Sequence, residues 1–216
     1  LHVTAGGGGA FLHPAPMRKG RLPVAARWPT ADQCKPLLWS VAPKIALGRS
    51  GFIPHAVLAV LYALSMIVGF GVQQQLELSA AAPIATFLAA TATLSLIGGL
   101  RRKPRAVVAL ASIFGLVIAA LPILSFVMLD VLSSPLGGLL PRGAIAALSV
   151  ALTVVLGAGV VGAYLALLTR LGIEEMQAFS TLDHPGYKHF LRLRVRHDGS
   201  GVDAWCVGLV DPLRPG

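Results

Sequence analysis

Charged residues fall along the chain in blocks, and between the blocks lie long runs without any. Residues 52–72 contain no Asp, Glu, Lys or Arg, and one histidine, His55, near the start. A helix of about 20 residues covers the roughly 30 Å hydrocarbon layer of a bilayer, so this run predicts a first span. Gln73-Gln74-Gln75-Leu76-Glu77 ends it. Residues 80–100 predict a second span, with Pro83 in the first turn, where a missing N–H costs little. Arg101-Arg102-Lys103-Pro104-Arg105 closes that run sharply. Residues 106–129 predict a third span with Pro122 inside it, a kink that membrane helices tolerate. Beyond Asp130 and the turn-rich Ser133-Ser134-Pro135-Leu136-Gly137-Gly138, residues 144–168 predict a fourth. The predicted fold class is mainly α: a polytopic membrane protein with four transmembrane helices over 52–168, followed by a C-terminal cytoplasmic β-hairpin.

The flanks have a different pattern. Residues 1–51 scatter seven bases among prolines and read as an extended aqueous segment, glycine-rich near its start. In the tail, residues 169–216, Glu174-Glu175-Met176-Gln177-Ala178-Phe179 either continues the fourth helix or forms a short cytoplasmic one. Asp183-His184-Pro185-Gly186 is a turn signal. Leu191, Leu193 and Val195 then alternate with Arg192, Arg194 and Arg196, the period of a half-buried strand. His197-Asp198-Gly199-Ser200-Gly201 supplies a turn, and residues 202–210 read as a second strand with Trp205, Val207 and Leu209 on one face. A lone hairpin is marginal in water, so the tail implies a larger soluble module on which it packs.

Composition narrows the classes. Hydrophobic residues make up 55% and charged residues 12%, with a mean hydropathy of +0.75, well outside the range of a soluble domain. Disorder is excluded by the hydropathy, a collagen-like chain by the lack of a three-residue glycine period, and a disulfide scaffold by the cysteine count of two. The net charge of +9 raises the question of nucleic acid, but seventeen of the eighteen bases lie in the two flanks and the loop between spans two and three. Only Arg142 lies on the other side. The positive-inside rule then places both termini and the middle loop in the cytoplasm. The expected location is the inner (cell) membrane; the bilayer is the expected partner and nucleic acid is not. Cys34 and Cys206 fall in a reducing compartment, and no disulfide is expected.

No acid or base lies in the middle of any span, which disfavours a transporter or channel. His55 near a boundary reads as an interfacial side chain. Gly157, Ala158, Gly159 and Gly162 suit a close helix approach, and equally fit a chain generally rich in Ala and Gly. His184, His189 and His197 share the tail with Asp183 and Asp198, but their spacing favours a surface over a metal site. No Gly-x-Ser-x-Gly elbow is present.

The run Gly6, Gly7, Gly8 and Gly9 can expose backbone N–H groups to a phosphate, although no Lys-Ser or Lys-Thr follows to make a nucleotide loop. The stretch HVTAGGGGAFLHP, His2 to Pro14, resembles the segment after the last metal motif in bacterial calcineurin-like metallophosphoesterases that carry membrane spans. The tail from Gln177-Ala178-Phe179-Ser180 through Gly186-Tyr187-Lys188-His189-Phe190-Leu191-Arg192-Leu193 is similar to the end of the same proteins. The two matches bracket the spans in the family's order and together cover 30 of the chain's 216 residues. Ala15 departs from the pattern, where Thr is expected. The resemblance implies a β-sandwich phosphoesterase interrupted by a membrane insertion, with two divalent metal ions activating a bridging water. It implies that residues 1–51 are a remnant of that domain, and that Gly6, Gly7, Gly8, Gly9 and His13 border the substrate. None of the family's metal-ligand motifs occurs, and the chain has no asparagine to serve the G-N-H ligand. No catalytic or metal-binding residue is assigned on this chain. The expectation is a C-terminal fragment of a longer hydrolase, from a truncated gene model, a late start codon or a degenerate copy, inactive without its N-terminal catalytic half. A self-standing four-span membrane protein whose hairpin docks on a partner is the competing expectation.

Overall fold

The computed structural model describes residues 29–76, 81–99, 103–133, 142–174, 177–182 and 188–209. In chain order the elements are α1 (Ala31–Trp39), α2 (Val41–Ala46), α3 (Ile53–Leu76), α4 (Ala81–Gly98), α5 (Pro104–Ser133), α6 (Arg142–Arg170), α7 (Gln177–Ser180), β1 (Lys188–Val195) and β2 (Val202–Leu209). Three helical stretches, Ala81–Gly98, Pro104–Ser125 and Ala147–Arg170, are long and apolar enough to cross a membrane, and α3 adds a shorter apolar stretch, Ile53–Leu64. Large apolar side chains such as Leu96, Ile113, Leu116 and Leu124 point outward from these helices. Helices apolar on their outer as well as their inner faces suit a membrane protein rather than a soluble bundle.

Hydroxyl groups hold the helices together where no charge is available. Pro122 has no N–H, so it leaves the carbonyl of Ile118, four residues earlier, without its helical donor. The hydroxyl of Tyr62 on α3 donates to that carbonyl at 3.1 Å. Tyr164 on α6 donates likewise to the Leu94 carbonyl on α4 at 2.9 Å. Gly98 makes room for that phenol: a Cβ there would run into the Tyr164 hydroxyl and the Val107 side chain of α5. Gly115 does the same where α5 crosses Thr91 of α4. Thr86, Thr93 and Ser112 turn their hydroxyls back onto the carbonyl four residues earlier, which leaves their outer surfaces apolar.

The extended reading of residues 1–51 is corrected over 31–46, where the chain is helical and packed. Thr30 caps α1 with a capping box, its Oγ1 accepting from the Gln33 N–H while Gln33 Oε1 accepts from the Thr30 N–H. Cys34, Leu38, Val41 and Ile45 are fully or almost fully buried. They recur at helical spacing and bring one stripe of α1 and α2 against the bundle. Helices of nine and six residues do not hold alone, and burial of about 1.5–3 kcal/mol per large side chain is what fixes them. Their seat is α6. A Cβ at Gly162 would lie 2.7 Å from Ala42 Cα, and one at Gly159 would touch Ala46. The small-residue stretch of α6 is therefore a packing face, and its occupant at Gly159 and Gly162 is α2. Gly157 faces Leu58 and Tyr62 of α3 instead.

α2 ends in a Schellman motif, with Gly48 at φ +69°, its N–H donating to the Ile45 carbonyl and the Arg49 N–H to that of Lys44. α6 ends in the same way, with Gly172 at φ +61° and the Ile173 N–H donating to the Leu168 carbonyl. That turn brings α7 back onto the bundle, where Ala178, Phe179 and Leu182 join the core.

β1 and β2 form a two-stranded antiparallel sheet, with Leu191 opposite Cys206, Arg192 opposite Trp205 and Val195 opposite Val202. The hairpin expected in the tail is present, and Val210 lies outside the described residues.

Candidate functional site

Gly6, Gly7, Gly8, Gly9 and His13 lie outside the described residues, as do Asp183 and His184. Among the described residues no three His, Cys, Asp or Glu side chains come together to hold a metal ion. Cys34 is buried on α1 and Cys206 exposed on β2. His55 plays a structural role. Its Nε2 lies 2.9 Å from the Ala46 carbonyl at the end of α2, which makes Nε2 the protonated, donating nitrogen. Its ring also meets Phe52 edge-on. This bond ties α3 to α2.

Two features of functional interest remain. The first is the basic end of the bundle. Consecutive long helices run antiparallel, so α3 and α5 begin where α4 and α6 finish, and Arg49, Lys103, Arg105 and Arg170 are exposed there. Arg170 in the last turn of α6 also complements the negative end of that helix's dipole. α6 starts at Arg142, at the far end.

The second is the hairpin. Residues paired across an antiparallel ladder share a face. One face carries Leu191, Leu193, Val195, Val202, Ala204 and Cys206. The other carries Phe190, Val207 and Trp205 beside Arg192, Arg194 and Asp203. The sequence places Trp205 and Val207 on one side of β2, and the register puts that side with the arginines of β1 rather than with its leucines. Both faces are thus apolar in part, and both are open: Phe190 is 60% exposed, Leu193 59%, Val195 71% and Val202 50%. Local order comes from the connection. The Arg196 guanidinium reaches Asp203 Oδ1 at 2.8 and 3.0 Å, and Asp198 Oδ1 accepts from the Ser200 N–H and hydroxyl. Those two bonds from Ser200 hold the Asp198 carboxyl below the usual aspartate range.

Comparison of the chain with protein-family models, characterised proteins and solved structures finds no match to any of them.

Proposed function

We propose that this chain is the membrane-spanning part of a calcineurin-like metallophosphoesterase, with four helices in the bilayer, both ends cytoplasmic, and a hairpin that joins a soluble phosphoesterase domain. The observation that carries it is the hairpin: a strand pair with apolar side chains open on both faces fits a sheet that is covered on both sides. A β-sandwich flanked by helices, the fold the sequence resemblance implies, offers such a place. The reaction would be hydrolysis of a phosphoester by two divalent metal ions supplied with that domain; this chain contributes anchorage and a pair of strands. The fourth span is α3, and the bases at one end of the bundle give the orientation.

Reading the gene upstream of the Leu1 codon tests this directly. In-frame D-x-H, G-D-x-x-D, G-N-H-[DE] and G-H-x-H motifs are expected, and a nearby stop codon with none of them would sink the proposal. Orientation has its own check: Cys206 should react with a membrane-impermeant maleimide in inverted vesicles and not in intact cells.

One observation favours a second reading. The helices close a continuous core of their own, from Cys34 through Leu182, without help from the hairpin. A self-standing membrane protein whose hairpin docks on a separate partner would look the same. Purified chain that is folded and monodisperse, beside a gene without metal motifs, would establish that alternative.

A further inference from the structure

Between α3 and α4 the bundle leaves a half-open hollow of about 180 Å³ whose floor is α6. It arises from a mismatch in side-chain size. Val57 and Leu61 of α3 face Ala90 and Thr93 of α4, and the small pair fails to fill the space above Leu165. Its lining is wholly apolar, since Thr93 and Thr181 spend their hydroxyls on the Ala89 and Ala178 carbonyls, at 2.8 and 2.7 Å. Water has no partner in such a space, which is comparable to the roughly 150 Å³ apolar cavities that take up benzene.

The hollow begins at the basic end of the bundle. Ile45 and Ile53 line that end, and Arg49 lies midway in the turn that joins them. The Schellman motif at Gly48 fixes this turn. Ile97 lines the groove just before α4 stops, and the chain returns with Lys103 and Arg105. Leu165 lines it five residues before Arg170. Three separate elements therefore each set an exposed base beyond their last lining residue. From Ile53 to Leu61 the groove runs about 12 Å down α3.

We propose that this groove holds one anionic phospholipid of the bilayer, an acyl chain between α3 and α4 and the headgroup phosphate at Arg49, with Lys103, Arg105 and Arg170 around it. The inference rests on the membrane reading above. A lipid tail gains nothing by leaving one hydrocarbon surrounding for another, so an apolar groove alone selects no lipid. Selection comes from the headgroup, where a guanidinium matches two phosphate oxygens in a fixed fork. A zwitterionic lipid offers the same phosphate but brings an ammonium group into the cluster of bases, which opposes it.

The test uses the full chain reconstituted in vesicles of equimolar phosphatidylcholine and phosphatidylglycerol, then extracted gently and weighed by native mass spectrometry. One retained phosphatidylglycerol, several-fold over phosphatidylcholine, is expected. Arg49→Gln should cut that preference about five-fold, the size of one base's attraction to an anionic surface. Thr93→Phe, which fills the hollow, should lower retention of both lipids at unchanged thermal stability. Equal retention of the two lipids, a preference untouched by Arg49→Gln, or retention untouched by Thr93→Phe would overturn the proposal while leaving the membrane reading intact. A chain that fails to float with the vesicles would overturn both.

Discussion

The two flanks of the bundle solve the same problem in opposite ways. Both carry short elements with an apolar stripe that cannot stand alone in water. The N-terminal pair α1 and α2 buries its stripe against α6, so that Cys34, Val41 and Ile45 have no exposed surface. The C-terminal hairpin buries little, with Val195 the most exposed of its large apolar side chains. The difference lies in what faces each flank. α6 offers α2 a notch of glycines, whereas no described hairpin residue joins the buried core. Among the described residues one flank is covered by the bundle and the other is left open.

The largest effect is expected where the buried flank is seated. Gly162→Leu puts a side chain against the backbone of Ala42, which cannot yield as a side-chain tip would, and should cost about 3 kcal/mol. The readout is thiol chemistry. In the parent Cys206 reacts with a maleimide and Cys34 does not; in the variant α2 lifts and both react. A Cys34 that stays protected would mean that this crossing does not hold the helix pair.

A smaller effect measures how the seat itself is held. Tyr62→Phe removes the donor to the Ile118 carbonyl and should cost about 1 kcal/mol, within the range of interhelical hydrogen bonds in membranes. With Pro122→Ala already in place the same change should cost almost nothing, because an alanine in place of the proline restores the missing N–H. Unfolding in mixed micelles across this double-mutant cycle checks it. Equal costs in the two backgrounds would show that Tyr62 acts by packing alone.

How far the sequence reveals this arrangement depends on the range of the forces. The long helices are legible because an uncharged run of 20 residues has few alternatives, and their ends differ from expectation by a few residues, as where α5 continues past Leu129 to Ser133. The hairpin is legible in its alternation and its Asp-Gly turn. Which faces coincide is not, since that depends on register across the 196–201 connection, and one residue of slip exchanges them. α1 and α2 had a signal: Cys34, Leu38, Val41 and Ile45 are spaced 4, 3 and 4 apart behind a Thr-x-x-Gln capping box. Pro36, Pro43 and the surrounding bases mask it. The bond from Tyr62 to Ile118 spans 56 residues and leaves no local trace. The glycine run and His13 rest on resemblance alone.

On the open flank a large side chain should matter little to this chain. Trp205→Ala is expected to change the unfolding free energy of the helices by less than about 0.5 kcal/mol, because the indole is nearly half exposed and the helical core closes without it. Hairpin amides should exchange much faster than those of α6 in the isolated chain. If the proposed phosphoesterase domain covers the hairpin, they should slow when that domain is supplied. A hairpin already protected in the chain alone would remove the contrast between the two flanks.

The smallest effect concerns what order the hairpin has by itself. Its turn is held by Asp198, whose carboxylate accepts both bonds from Ser200, with Gly199 at φ +67° completing the reversal. Because these bonds favour the charged carboxylate, its folded pKa lies below the unfolded value. The contribution is therefore complete above the unfolded value and is lost as pH falls through the folded one, at a pH below about 4. The group is fully exposed, so the loss should appear as local loosening, with the Ser200 amide resonance shifting while the α6 amides do not move. Asp198→Asn retains an acceptor oxygen without the charge, so it should keep the turn and abolish its pH dependence. If the variant's turn still opens in acid, the hairpin's order comes from a group other than Asp198, and the bond between Arg196 and Asp203 is the next to remove.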